Sequence, residues 1–155
     1  MTEADEKPGR VLIAYDGSDH AKEAIEEAGR QLAPGREAVV VSVWEPLEGL
    51  SFVGLRGYSA NIDQAIVDDA EKAARETAEE GAELARRAGF DAAPKVISGD
   101  PVWQMIVQAA EDESAGLIVL GSRGRSGVSY VLLGSVATAV AQHSKRAVLI
   151  VHPGD

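Results

Sequence analysis

Five short apolar segments alternate along the chain with longer segments of helical periodicity. The apolar segments have the length of strands, and most are rich in β-branched residues. They are RVLIAY (10–15), EAVVVSVW (37–44), DAAPKVIS (91–98), GLIVLG (116–121) and AVLIV (147–151). In the second segment the apolar residues do not alternate cleanly, which is typical of a strand that helices cover on both faces. The pattern predicts the element order β-α-β-α-β-α-β-α-β.

Strands that alternate with helices of this length indicate a parallel sheet, because right-handed crossovers place helices on both of its faces. We therefore expect an open, doubly wound α/β fold of the Rossmann-like kind. The chain has 155 residues, of which 45% are hydrophobic, so it is long and apolar enough for one core. We expect a flexible tail over residues 1–9 and a single domain over residues 10–155.

Details of individual elements can also be predicted. Pro94 lacks a backbone donor, which suits an edge strand. Asp100 is expected to cap the third helix, with Pro101 at the first helical position. The fourth helix is expected from about Ser135 to His143, and the segment from Glu45 to Ala60 is interpreted as a long loop. The long second helix, ending at Gly89, should bury one face formed by Ile62, Ile66, Ala70, Ala73, Thr77, Leu84, Ala85 and Ala88.

Composition excludes several classes of function. A formal net charge of −10 disfavours binding to duplex nucleic acid, which draws its affinity from clustered Lys and Arg. The chain has no cysteine, so it offers neither a disulfide framework nor thiolate chemistry, and its three widely spaced histidines do not favour a transition-metal site. The first nine residues are acidic and the apolar runs are strand-sized, so we expect a cytoplasmic protein with no export signal and no membrane association.

The segment GSRGRSGVSYVLLGS (121–135) lies between an apolar strand and a helix. Its glycines allow backbone N–H groups to approach an anion at the positive end of the helix, and phosphate is the anion that such a site typically binds. Ser135 adds a hydroxyl, while Arg123 and Arg125 add positive charge. The same glycines also suit an ordinary strand exit and an ordinary helix start, so from glycine content alone both interpretations remain open.

Two common phosphate-binding motifs are absent from the sequence. No Gly-Lys-Ser/Thr follows a glycine-rich loop, and the first strand exit, YDGSDH, lacks the dinucleotide fingerprint. This disfavours P-loop hydrolases and NAD-dependent enzymes.

The spacing Gly121, two residues, Gly124, nine residues, Gly134-Ser135 resembles the ATP-binding signature of the universal stress protein family. The resemblance extends to VLIAYDGSDHAKEAIEEA, VVVSVWEP, SGDPVWQMIVQAAEDESAGLIVLGSRGRSG and AVLIVH, which together cover nearly the whole chain. It implies a five-stranded sheet in the order 3-2-1-4-5. In that order the winding reverses between the strands that end at Asp16 and Gly121.

The resemblance also implies a set of binding residues for ATP and Mg²⁺. Ala14, Tyr15 and Asp16 would line the ribose and adenine side, and Val43 would contact the base. Asp16 would also face Mg²⁺ on the phosphates; the alternative is an aspartate that only forms the turn. The residues implied for the phosphates are Gly121, Gly124, Gly134, Ser135 and Val136, with Arg123 and Arg125 on the loop between them.

These residues favour a nucleotide-dependent regulator of the stress response over an enzyme. Hydrolysis needs a positioned base, and the candidates near the site are Asp16, Asp19 and His20, the last interpreted as a solvated helix residue. The alternatives are a dimeric interaction or scaffold protein with an empty loop, and a slow ATP hydrolase. We expect a homodimer through the apolar edge strand Ala147 to Val151, and an unknown protein partner.

Overall fold

The computed structural model describes residues 8–46, 60–124 and 133–154. Within these ranges the chain forms five strands and four helices. They are β1 (Arg10–Ala14), α1 (Asp19–Gln31), β2 (Glu37–Trp44), α2 (Ala60–Arg87), β3 (Asp91–Ser98), α3 (Val102–Asp112), β4 (Ala115–Gly121), α4 (Ser135–His143) and β5 (Ala147–Val151).

The five strands form one parallel sheet in the order β3-β2-β1-β4-β5. Val11 of β1 lies opposite Ala38 of β2 on one side and Leu117 of β4 on the other. The chain thus winds from β1 outwards to β3, returns, and continues through β4 to β5. Pro94 lies in the edge strand β3, as predicted. The fold class, the strand order and the reversal beside β1 are confirmed.

Alternate residues of the sheet face two separate apolar layers. Val11 and Ile13 of β1 pack with α1 and α2, whereas Leu12 packs with α3 and α4. All three side chains are fully buried. Because both faces are covered, the strands contain the nearly continuous apolar runs seen in the sequence.

The buried face of α2 differs from the predicted one. Ile66 is 47% exposed, and Ala73 is exposed as well. Alanine occurs on several sides of this helix, so apolar periodicity alone does not determine its rotation. Gly81 packs closely against Tyr15, which follows β1, and against Val40 of β2. The buried residues of the described part of α2 are Ala74, Ala78, Gly81, Ala82 and Ala85.

The start of α3 also differs from the expectation. Pro101 has an extended backbone (φ −79°, ψ 153°) and is itself the N-cap, without a side-chain capping bond. Its carbonyl oxygen accepts the first helical hydrogen bonds, from Gln104 N and Met105 N. Asp100 lies one residue too far back to cap the helix, so that prediction was wrong.

Three expectations remain untested by the fold. Residues 1–7 and 47–59 lie outside the described residues, so most of the expected tail and of the Glu45 to Ala60 loop cannot be assessed. The division into a tail and a domain over residues 10–155 stays a prediction.

Among the described residues, no helix has both the length and the apolar character needed to cross a membrane.

Glu113, directly after α3, joins two strands at the amino ends of the sheet. Its carboxylate accepts hydrogen bonds from Arg10 Nη1 of β1 and Lys95 Nζ of β3, each at 2.5 Å. The Glu113 side chain is 17% exposed, while those of Arg10 and Lys95 are 40% and 39% exposed. The hydrogen bond from Lys95, followed by the charge of Lys95 and the bond from Arg10, lowers the pKa of Glu113 below its usual range.

We expect Glu113→Gln to lower stability at neutral pH by about 1 kcal/mol, a small value because solvent screens the two exposed cations. The pKa of Glu113 is lower in the folded state than in the unfolded state. Its contribution is therefore complete above the unfolded value of about 4.3 and is lost as the pH falls through the folded value. Melting curves of wild type and variant across this range should converge in acid. A difference that stays constant with pH would contradict the role of the charge.

Candidate functional site

A cavity of about 610 Å³ lies at the carboxyl edge of the sheet, where the winding reverses. Its floor is formed by the ends of β1, β2 and β4. One wall is the start of α4, and others come from α2 and α3. In open parallel sheets, ligands bind at this crevice. The position of the cavity thus agrees with the position expected for a ligand site.

The structure brings the predicted binding residues together in the wall of this cavity. Ten of the eleven line it, although they come from four separate parts of the sequence. The eleventh, Arg125, lies outside the described residues. Those that line the cavity are Ala14, Tyr15, Asp16, Val43, Gly121, Arg123, Gly124, Gly134, Ser135 and Val136.

The loop after β4 is closed by backbone hydrogen bonds at its two ends. Ser122 N donates to Val151 O at 2.8 Å, and Gly134 N donates to Ser122 O at 2.6 Å. Gly134 is the N-cap of α4 and has no side-chain capping bond. The first turn of α4, from Ser135 to Ala137, lines the cavity. Because N–H groups in the first turn of a helix have no partner within the helix, an anion would be stabilised there.

Two glycines of this loop are required by close approach. A Cβ at Gly121 would lie 3.0 Å from the backbone oxygen of His20, in the first turn of α1. A Cβ at Gly124 would lie 2.9 Å from Asp16 Oδ2. Gly121 thus lets the loop pack against α1, which favours the structural interpretation of that glycine. Gly124 lets the loop backbone reach the carboxylate of Asp16.

Asp16 organises the turn between β1 and α1. Its Oδ1 accepts a hydrogen bond from Ser18 N at 2.9 Å, and Ser18 Oγ in turn accepts one from Ala21 N at 3.2 Å as the N-cap of α1. The turn-forming role of Asp16 is therefore present in the structure. Among the described residues, no group of three or more His, Cys, Asp or Glu side chains is arranged to hold a metal.

Tyr15 is held in place through three of its polar groups. Its N–H donates to Val41 O at 2.9 Å, its carbonyl accepts from Ser42 Oγ at 2.8 Å, and its phenol donates to Glu80 Oε1 at 2.8 Å. Lys22 Nζ lies 3.5 Å from the same Glu80 oxygen. Burial, with the hydrogen bond to Glu80, raises the pKa of Tyr15 well above its usual range. Tyr15 is therefore a neutral, fixed donor linking the site to α2.

Several cavity residues were not predicted. From α2 the wall includes Ala70, Ala73 and Thr77, which the sequence analysis assigned to the helix face against the sheet. Trp44 and Ser122 are further wall residues, as is Ser42. Side chains alternate along β2, so Ser42 and Trp44 lie on the opposite side of the strand from Val43. That side also meets the cavity because α2 packs over it, which the sequence pattern does not show.

His20 is not the solvated helix residue that was expected. The residue is half-buried, and its Nδ1 is buried with no hydrogen-bond partner among the described residues. Neither His20 nor Asp19 lines the cavity. The third predicted candidate base, Asp16, is engaged in its turn. His143, at the end of α4, stacks on Trp103 of α3 with ring centroids 4.5 Å apart.

The sequence pattern described as the Universal stress protein family matches residues 8–152. The chain belongs to the universal stress protein family. Universal stress protein YxiE of Bacillus subtilis is 34% identical in an alignment that covers 92% of this chain and 97% of that protein. The resemblance seen in the sequence is thus confirmed at the level of the family.

Two solved structures are similar to this chain over nearly its whole length. Protein MJ0577 has a TM-score of 0.72 and 24% identity, covering 95% of this chain and 97% of its own, which supports the shared fold. A universal stress protein solved in complex with cAMP has a TM-score of 0.60 and 27% identity. It covers 94% of this chain and 97% of its own.

Proposed function

We propose that this universal stress protein is an ATP-binding regulator of the stress response, in which occupancy of the cavity alters its affinity for a protein partner. One observation carries the proposal. The glycine loop, the first turn of α4 and Asp16 converge on one cavity at the reversal of the sheet. Such a crevice is where parallel α/β sheets bind nucleotides.

The loop side of the cavity fits the phosphates. Gly124 and Gly134 leave the backbone accessible, and Ser135 places a hydroxyl at the start of α4. Arg123 lines the cavity and adds a cation to a chain of net charge −10. Helix N-terminal N–H groups with a guanidinium suit phosphate oxygens. Arg125 is proposed as a further phosphate contact.

The sheet side of the cavity fits the base and ribose. Ala14 and Val43 present apolar surface beside Val102 of α3. A cavity of about 610 Å³ is within the range of small-molecule sites. The relative solved in complex with cAMP supports an adenine nucleotide as the class of ligand.

Asp16 is proposed to contact Mg²⁺ that accompanies the phosphates. Its Oδ2 lies on the side of Gly124, facing the loop, while Oδ1 accepts the bond from Ser18. A hard cation takes carboxylate and phosphate oxygens together, so the two roles of Asp16 are compatible.

We propose binding without catalysis. Among the described residues that line the cavity, the carboxylates are Asp16 and Glu45, and no histidine is present. Hydrolysis of ATP requires a group that orients or deprotonates water. Asp16 already accepts a hydrogen bond in its turn, so it is poorly suited to that role.

We further propose a homodimer through β5. This strand lies at one edge of the sheet, and its residues Val148, Leu149 and Ile150 are only half-buried. An apolar edge with unpaired backbone groups is stabilised when a second chain covers it. The opposite edge, β3, contains Pro94 and Lys95, which discourage pairing.

The proposed function is tested by melting the purified protein with Mg-ATP, GTP, NAD or cAMP. A ligand at one hundred times its dissociation constant adds about 2.7 kcal/mol of stability. For a chain of this size, that corresponds to a rise of roughly 5–10 °C. We expect ATP to raise the melting temperature more than GTP or NAD, and we expect no release of phosphate over hours.

Two results would contradict this function. No shift with any adenine nucleotide, in protein shown to be free of co-purified ligand, would favour the scaffold alternative. Steady release of phosphate that depends on Asp16 would favour the hydrolase. A larger shift with cAMP than with ATP would retain an adenine-nucleotide site but change the working ligand.

A further inference from the structure

The hydrogen-bonded ladder between β1 and β2 ends at the wall of the cavity. Ala14 and Val41 are the last paired residues, and Tyr15 N still donates to Val41 O at 2.9 Å. In a regular parallel ladder, Tyr15 O would accept the next hydrogen bond, from the backbone N–H of Val43. The pairing stops before that bond, whereas β2 continues to Trp44. The ends of the two strands therefore separate where both enter the cavity wall.

A side chain replaces the ladder at this point. Ser42 Oγ donates to Tyr15 O at 2.8 Å, and Ser42 is only 3% exposed. On its other side β2 remains paired with β3, with Ser42 opposite Val96. β2 is thus anchored while β1 departs, and the hydroxyl gives the buried Tyr15 carbonyl a donor that the ladder no longer supplies.

The bond from Ser42 also fixes the residue that follows Tyr15. Because a peptide group is planar, holding Tyr15 O holds Asp16 N in the same plane. Asp16 in turn presents its Oδ2 on the side of Gly124. Asp16 and Val43 lie on the two sides of the separation between the strand ends, and both line the cavity. The width of this crevice therefore depends on the peptide group that the Ser42 hydroxyl holds.

We propose that Ser42 is a positioning residue for the nucleoside part of the ligand. Its hydroxyl holds the Tyr15–Asp16 peptide group and so keeps the crevice between the ends of β1 and β2 open to the base and the ribose. The inference rests on the proposed nucleotide function. Ser42 acts through the Tyr15 carbonyl, on the sheet side of the cavity, so its contribution does not depend on the phosphates.

Removing the hydroxyl leaves Tyr15 O as a buried acceptor without its donor, which is unfavourable. To find another donor, the peptide group must turn or move towards the N–H of Val43. Either movement changes the crevice and displaces Asp16. A loss of affinity for the nucleoside should therefore accompany any loss of stability.

The test is calorimetric titration with Mg-ATP and with adenosine, well below the melting temperature, so that each variant stays folded. Ser42→Ala should weaken both ligands by a similar factor, roughly fivefold or more. Ser42→Thr and Ser42→Val form a second comparison, because their side chains have nearly the same shape and only threonine keeps a hydroxyl. The threonine variant should bind both ligands several times more tightly than the valine variant.

Ser144→Ala is the matched control. The Ser144 hydroxyl also donates to a backbone carbonyl, Arg146 O at 3.2 Å, but Ser144 is not among the residues that line the cavity. Its loss should leave the dissociation constants of both ligands at the wild-type values.

Each other outcome decides against the inference. If Ser42→Ala binds both ligands as tightly as wild type, the hydroxyl only supports the fold, whatever its effect on the melting temperature. If Ser42→Ala weakens ATP alone, or wild type binds ATP but not adenosine, the nucleoside is not what Ser42 positions. If threonine is no better than valine, the hydroxyl is not the cause. If wild type binds neither ligand, the proposed function itself fails, and this inference falls with it.

Discussion

Replacing Gly124 by valine is expected to abolish the rise in melting temperature that Mg-ATP gives. A Cβ at this position would lie 2.9 Å from Asp16 Oδ2, closer than real Cβ atoms come to neighbouring atoms. Asp16 cannot easily retreat, because its Oδ1 is bonded to Ser18 N at 2.9 Å. The valine must therefore displace the loop from the cavity, which moves the phosphate contacts.

The effect of this substitution is measured as a difference between ligand-bound and ligand-free melting temperatures. Loss of the full shift corresponds to about 2.7 kcal/mol at one hundred times the wild-type dissociation constant. Gly154→Val is the matched control, because a Cβ at Gly154 has no atom within 4 Å. That variant should keep the whole shift. Retention of the shift in Gly124→Val as well would mean that the nucleotide does not use this loop.

Replacing Gly81 by leucine is expected to lower the stability of the ligand-free protein by about 1–3 kcal/mol. Gly81 lies in the C-terminal part of α2, where a Cβ would come within 2.6 Å of Tyr15 Cδ1 and 2.8 Å of Val40 Cγ1. Leucine favours helix over glycine by less than about 1 kcal/mol, so the steric cost exceeds that gain. Tyr15 is fixed by Glu80 and Ser42, so its ring cannot move away.

Unfolding by denaturant measures this loss, and Ala65→Leu is its matched control. Ala65 lies in the same helix but is exposed, so leucine there should change stability by no more than about 0.5 kcal/mol. Because Tyr15 lines the cavity, Gly81→Leu should also weaken nucleotide binding. A variant as stable as wild type would contradict the close packing of α2 on Tyr15.

The order of elements could be predicted because each strand is an apolar run separated from the next by a helical segment. The bounds of β2, β3, α4 and β5 agree with their predicted ranges. The rotation of α2 could not be predicted, since its alanines lie on more than one side. Gly81, which lies on the buried face, has no side chain to signal a buried position.

The candidate site was predicted in part. The glycine spacing indicated the residues of the loop, and their common cavity follows once β1 and β4 are neighbours. The contribution of α2 depends on tertiary packing that no local pattern encodes. Ser122 was missed for a related reason: a serine in a glycine-rich loop is ordinary until its burial in the cavity wall is known.

The placement of the aromatic residues gives the protein an internal optical probe. The chain has two tryptophans. Trp44 lines the cavity, while Trp103 directly follows the wall residue Val102 and stacks on His143 at the far end of α4. Indole emission depends on the polarity around the ring and on nearby rings. Ligand entry would therefore alter the fluorescence of Trp44, and a shift of α4 would alter that of Trp103. Occupancy can thus be followed in real time without a label.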